Sequence, residues 1–195
     1  MKGKNVQYAT ELLEAEKSRQ GIIPLTEKDN SLTVEDAYQI QLETVKLKIA
    51  QGKVIVGKKI GLTSVAMQKM LNVDEPDYGH LFDDMQIENG AIVKVDSMIS
   101  PKVEAEIGFV LKEDLVGPNI TYIDVLMATK YVVPTLEIID SRVKDWKIKL
   151  VDTVADNGSS AKVVVGNKTT TIDLVNLRTI SMVLFKNGEL QATGA

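Results

Sequence analysis

Hydrophobic periodicity changes once along this chain, at Gly52, and that change constrains the fold more than any other feature. Before it, apolar residues recur at helical spacing. Residues 8–19 carry Ala9, Leu12, Leu13 and Ala15 among charges, which predicts an amphipathic helix stopped by Gly21. Thr33 with Asp36 three residues on is a capping-box pattern, and Ala37, Ile40, Leu42, Val45, Leu47 and Ile49 extend a second helix to Gly52. Beyond that point, residues 53–60, 91–95, 103–111, 131–139, 162–165 and 179–186 are short β-rich runs bounded by Gly, Pro, Asn and Asp. Residues 64–71 and 122–128 interrupt them as short helices. The expectation is an α+β chain, mainly β, with a helical segment over 1–52 and a β-rich region over 53–195.

Composition narrows the function classes. With 195 residues, 44% of them hydrophobic and 26% charged, the chain can bury a core without staples. The net charge is −4 and the basic residues are scattered, so neither nucleic acid nor an anionic membrane surface is an expected partner. The absence of cysteine excludes disulfides, thiolate nucleophiles and zinc–thiolate sites. No apolar run approaches the ~18 residues of a membrane span, and the amino end has no signal-like apolar stretch. A cytoplasmic location is expected. Asn187-Gly188 is a strong hairpin signal, yet the return strand hardly begins before Ala195, which leads us to expect that part of the domain is missing at the carboxyl end.

Carboxylates supply the chemistry. In residues 101–109, strand alternation puts Val103, Ala105, Ile107 and Phe109 on one face and Glu104 and Glu106 on the other. Two such neighbours repel unless water screens them or a cation binds between them. Glu137 lies in a run apolar enough to be a buried strand, where it needs a counter-charge. A buried Lys or Arg would serve. So would one divalent ion shared with Glu104 and Glu106, and an all-oxygen donor set selects a hard cation such as Mg²⁺ or Mn²⁺.

Gly52 to Lys59 has glycines and a lysine at phosphate-loop spacing, but Lys59 stands where that motif needs Ser or Thr, and Val54-Ile55-Val56 reads as strand interior. Of the adjacent Lys58 and Lys59, one must point inward, as a charge partner or proton shuttle. His80 reads as a surface or loop residue, Asp77 as a turn residue by default, and Trp146 as a packing anchor. No Ser-His-Asp or zinc arrangement suggests itself.

Several motifs occur together in order: Gly57-Lys58-Lys59-Ile60-Gly61-Leu62-Thr63-Ser64, Pro76-Asp77-Tyr78-Gly79, Asp84-Met85, Pro101 to Glu106, Leu136-Glu137, Asp140-Ser141-Arg142, Asp145-Trp146 and Asp152 to Ser160. Together they resemble the 2-hydroxypenta-2,4-dienoate hydratases and the related 4-oxalocrotonate (2-oxo-3-hexenedioate) decarboxylases of the fumarylacetoacetase-like superfamily. The resemblance implies a β roll with a helical amino-terminal segment. It also implies Mg²⁺ or Mn²⁺ held by Glu104, Glu106 and Glu137, a proton-handling lysine at Lys59, and Asp77 and Ser159 lining the pocket of a small anionic 2-hydroxydienoate or 2-oxo acid. Lys58 falls where the family motif varies.

Gln68, Pro76 to Gly79, Asp84-Met85, Asp145-Trp146 and Asp152 to Val154 resemble the hydratase branch, so the expected reaction is hydration of 2-hydroxypenta-2,4-dienoate to 4-hydroxy-2-oxopentanoate in meta-cleavage catabolism of aromatic compounds. The alternatives are the decarboxylase reaction and a non-catalytic subunit of a hydratase–decarboxylase complex. A homo-oligomer, and a complex with the pathway's partner enzyme, are further implications of the resemblance. Family members continue past the position of Ala195 into further strands.

Overall fold

The computed structural model describes residues 2–71 and 73–194. Its helices are α1 (Lys2–Ser18), α2 (Leu25–Lys28), α3 (Val34–Ala50), α4 (Val65–Leu71), α5 (Tyr122–Ala128) and α6 (Leu150–Ala155). The strands are β1 (Ile55–Gly61), β2 (Asp77–Phe82), β3 (Gln86–Ile87), β4 (Lys102–Leu111), β5 (Thr129–Ile139), β6 (Ser160–Val165), β7 (Met182–Lys186) and β8 (Glu189–Gly194). Helix and sheet are thus mixed, and α1 and α3, at 17 residues each, outrun every strand. Helix α1 starts well before Tyr8, and its mostly polar first turns carry no periodicity that would have shown this in the sequence. Among the described residues no helix is long and apolar enough to cross a membrane.

Two compact units make up the chain. The first comprises Met1–Ile87, Ala91–Lys102 and Ile138–Lys162, and it holds the main core. Tyr8, Ala9 and Leu12 of α1, Ala37 and Ile40 of α3, and Val154 and Ala155 of α6 are buried together with Leu25. Full burial of Leu25 and Ile40 contributes about 1.5–3 kcal/mol each. The capping box forms as the sequence predicts: Asp36 N–H donates to Thr33 Oγ1, and Thr33 N–H donates to Asp36 Oδ2, both at 3.1 Å. The buried face of α3 differs from the apolar pattern, because Gln41 and Thr44 are buried whereas Ile49 is exposed. Gln41 is tolerated since its amide is fully employed. Its Nε2 donates to the carbonyls of Tyr78 (3.0 Å) and Val154 (2.8 Å), and its Oε1 faces His80 Nδ1 at 2.9 Å.

In the same unit β1 and β2 form an antiparallel pair that places Lys58 opposite His80, Lys59 opposite Gly79 and Gly61 opposite Asp77. Asp77 and His80 therefore sit in a strand and are buried, not in a turn or surface loop. Asp77 and Gly79, both poor strand formers, hid this strand from propensity, and pairing with β1 supplies what propensity lacks. Residues 91–95, expected as a strand, are irregular and lead into a 3-10 turn at Val95–Ser97, with Ile92 and Val95 exposed and no partner strand beside them among the described residues. Trp146 is half-buried. Its Nε1 donates to Ser100 O at 2.8 Å and the Lys102 ammonium lies 4.0 Å from its ring centroid.

The second unit comprises Glu88–Gly90, Val103–Glu137 and Val163–Ala195. Strands β3, β6, β5 and β4 are neighbours in that order in a four-stranded sheet. Alternation along β4 separates the glutamates from the apolar residues, but the apolar face is not buried along its length. Val103 and Phe109 remain 51% and 42% exposed. The hairpin at Asn187-Gly188 forms, and the expected broken return strand does not hold. Strand β8 pairs β7 over its whole length, from Lys186↔Glu189 to Met182↔Gly194. Asn187 and Gly188 both have positive φ, the conformation a tight hairpin turn needs, so the return strand registers at once. Ala195 lies outside the described residues.

Candidate active site

The three glutamates come together within the second unit. Glu104 and Glu106 project from β4 and Glu137 from β5, the neighbouring strand, and each offers a carboxylate oxygen within 4.8 Å of the other two. Glu104 is exposed, Glu106 half-buried and Glu137 only 5% exposed. Two residues along β4 return a side chain to the same face, which is why Glu104 and Glu106 share it. Three anionic carboxylates this close repel strongly, most of all at a buried member. The donor set is all oxygen, with neither sulfur nor imidazole, and it fits a hard divalent cation. A cavity of about 450 Å³ in this unit is lined by Glu106 and by apolar residues including Ile107, Val133, Leu136 and Met182.

Lys59, Asp77 and Ser159 belong to the first unit. Lys59 and Asp77 are diagonal neighbours across the β1–β2 ladder, each directly opposite a glycine. The missing side chain at Gly61 is required: a Cβ there would lie 2.1 Å from Asp77 Oδ1 and 3.4 Å from Lys59 Nζ. Asp77 is buried, and its Oδ1 has no hydrogen-bond partner among the described residues. Burial raises the Asp77 pKa above the usual carboxylate range, while the Lys59 ammonium opposes that shift. Lys59 Nζ donates to Gly158 O at 3.0 Å. Lys58 takes the other face of β1, exposed, with its ammonium 5.5 Å from the Tyr78 ring centroid, and partial burial lowers its pKa.

Ser159 is buried beside Asp156, to whose Oδ2 its hydroxyl donates at 3.3 Å, and its Oγ lies 3.4 Å from Thr153 Oγ1. Asp156 is itself held by Arg142, whose Nε donates to Oδ1 at 2.5 Å and whose backbone N–H donates to Oδ2 at 2.9 Å. The guanidinium also donates to the carbonyls of Asp140 and Ser160, at 2.8 and 2.9 Å. Burial works against the charge on Arg142, but Asp156 and Glu16 outweigh it and its pKa is raised. Arg142, Asp156, Asn157 and His80 were not identified as site residues from the sequence. One signal was available: Asn157-Gly158 is a dipeptide that tolerates left-handed backbone.

His80 anchors the other side. Gln41 spends both amide hydrogens on carbonyls, so its Oε1 can only accept, and His80 carries its proton on Nδ1. Burial, reinforced by the Lys58 charge, lowers the His80 pKa to about 4.

A fold of mixed helix and sheet with an acidic triad on two neighbouring strands defines a candidate metal-dependent enzyme. No family model matches the chain. It is 45% identical over 190 residues to the 2-hydroxypent-2,4-dienoate hydratase of Pseudomonas putida, covering 97% of this chain and 86% of that protein. It is 47% identical over 185 residues to the 2-hydroxyhexa-2,4-dienoate hydratase of Comamonas testosteroni, covering 94% and 70%. Among solved structures it matches 4-oxalocrotonate decarboxylase from Pseudomonas putida G7, complexed with magnesium and adipate. That match has a TM-score of 0.95 and 38% identity, and it covers all of this chain and 74% of that one. The chain belongs to the family of 2-hydroxypentadienoate hydratases and 4-oxalocrotonate decarboxylases.

Proposed function

We propose that the protein is a lyase that adds water to 2-hydroxypenta-2,4-dienoate, giving 4-hydroxy-2-oxopentanoate, in meta-cleavage catabolism of aromatic compounds. The observation that carries this reading is the Glu104–Glu106–Glu137 triad in a chain 45–47% identical to two dienoate hydratases. A relative of known structure is a 4-oxalocrotonate decarboxylase at 38% identity, and decarboxylation of a six-carbon oxo diacid is the second reading.

In this reading Glu104, Glu106 and Glu137 hold Mg²⁺ or Mn²⁺. When bound, that ion supplies positive charge for the substrate's carboxylate and 2-oxygen, where negative charge builds as the dienol ketonises. Lys59 handles the proton at Nζ: the 2-hydroxyl loses one proton, C5 gains one, and the conjugated enone then takes hydroxide at C4 and a proton at C3. Asp77 and Ser159 line the substrate pocket. Asp77, whose pKa burial raises, is suited to exchange a proton, and the Ser159 hydroxyl, turned toward Asp156, is fixed in orientation. A fumarylacetoacetase-like roll, a homo-oligomer and a complex with the pathway's partner enzyme are further parts of the proposal, carried by the motif resemblance alone.

The test is loss of dienoate absorbance followed with Mg²⁺ and again with a chelator. Turnover that needs the added ion supports the proposal, and equal rates in both contradict it.

A further inference from the structure

Three consecutive residues, Asn157, Gly158 and Ser159, have positive φ, at 57°, 62° and 53°. Glycine adopts this region freely and asparagine tolerates it, but serine does not, so a turn of this kind persists only where its surroundings over-determine it. They do so here on three sides. Before the turn, buried Asp156 is locked by the Nε and backbone N–H of Arg142. Within it, the Asn157 side chain acts as an extra strand residue against β2: Oδ1 accepts from His80 N–H at 2.7 Å and Nδ2 donates to His80 O at 2.9 Å. At its end, Ser159 O accepts from Asp140 N–H at 2.8 Å.

The held turn presents two surfaces to Lys59. The Gly158 carbonyl accepts from Nζ at 3.0 Å. The bare α-carbon of Gly158 lies against the lysine stem, where a Cβ would meet Cδ at 3.0 Å and Nζ at 3.1 Å. A lysine on a flexible four-carbon stem is a poor proton donor or base until its nitrogen is fixed. A carbonyl that takes one N–H direction fixes the other two.

We infer that Asn157 and Gly158 are positioning residues for Lys59: the clamped left-handed turn sets where the ammonium sits and which way its protons point. The inference rests on the proton-handling role proposed for Lys59, and it extends that role to residues that touch no reacting atom.

Two variants separate the parts. Asn157→Gly keeps a residue that accepts positive φ and removes both His80 contacts. Gly158→Ala keeps those contacts and puts a methyl group against the lysine. Each is measured for kcat and KM on 2-hydroxypenta-2,4-dienoate, for Mn²⁺ affinity, for thermal unfolding, and for the rate at which an amine-reactive acylating reagent labels Lys59 relative to exposed Lys147, read by mass spectrometry.

The expected result in both is a fall in kcat of about tenfold or more with KM within about threefold, and unchanged Mn²⁺ affinity. Labelling of Lys59 should rise several-fold against Lys147. Folded variants with unchanged kcat and unchanged labelling would overturn the inference, as would a kcat loss that only tracks the unfolded fraction. A wild-type protein with no dienoate turnover would overturn the proposed reaction instead. The labelling ratio would still decide the positioning: a rise supports it and no change overturns it.

Discussion

Asn157 pairs its side-chain amide with both backbone polar groups of His80, as a neighbouring strand residue would. This one contact ties a strand the sequence concealed to a turn whose conformation the sequence only hinted at. It brings the Lys59, Asp77 and Ser159 cluster into register within one unit.

Removing a single oxygen charge from the triad should be decisive. Glu106→Gln is expected to weaken Mn²⁺ binding by more than about tenfold and to abolish metal-dependent turnover. Isothermal titration and the dienoate assay check both. Unchanged affinity together with unchanged turnover would place the ion elsewhere.

The two adjacent lysines should behave differently. Lys59→Met is expected to lower kcat by roughly a hundredfold or more while KM changes little, as removal of a proton-transfer group does. Lys58→Met, on the opposite face of β1, should retain most of its activity. The reverse pattern would assign the wrong lysine.

His80 gives a pH signature in stability. Its folded pKa is depressed to about 4 from the ordinary 6.5, so the unfolded chain binds the extra proton. The stabilising contribution of the neutral ring is complete above about pH 6.5 and is lost progressively as pH falls through about 4. His80→Asn keeps a donor for Gln41 Oε1 without the titration. Thermal melts between pH 4 and 7 should then show a smaller fall on acidification in the variant. Parallel melting curves for the two proteins would remove His80 from the account.

The Arg142–Asp156 pair predicts a sharper loss. Arg142→Met strands a buried carboxylate and should cost about 3–5 kcal/mol, read from urea unfolding. Adding Asp156→Asn should recover part of that, since the stranded charge is then gone. A double variant as unstable as the sum of the two singles would mean that the charges do not interact.

Much of this architecture is legible in the sequence, for identifiable reasons. The Thr33–Asp36 cap and the runs now seen as β4 and β5 are local patterns with a fixed period; alternation and one acid in an apolar strand only make the Glu104–Glu106–Glu137 triad one option beside a buried Lys or Arg partner, and the motif resemblance singles it out. Strand β2 was not legible, because Asp77 and Gly79 disfavour a strand and the segment is held by pairing with β1 and by Asn157 rather than by propensity. Gln41 was not legible either: a buried amide announces itself only when the carbonyls of Tyr78 and Val154 are in place to receive it. The role of Gly158 depends on the Lys59 stem lying against it, a contact across 99 residues of chain. The return strand β8 was underestimated because the turn, not the residues after it, sets its register.

The most direct measurement is a product assay on 2-hydroxypenta-2,4-dienoate and on the six-carbon oxo diacid, side by side, with Mg²⁺ and with chelator, read by proton NMR and by carbon dioxide release. The account predicts 4-hydroxy-2-oxopentanoate from the dienoate only when the ion is present, with no carbon dioxide from the diacid. Carbon dioxide release without hydration, or hydration that ignores the ion, would contradict it.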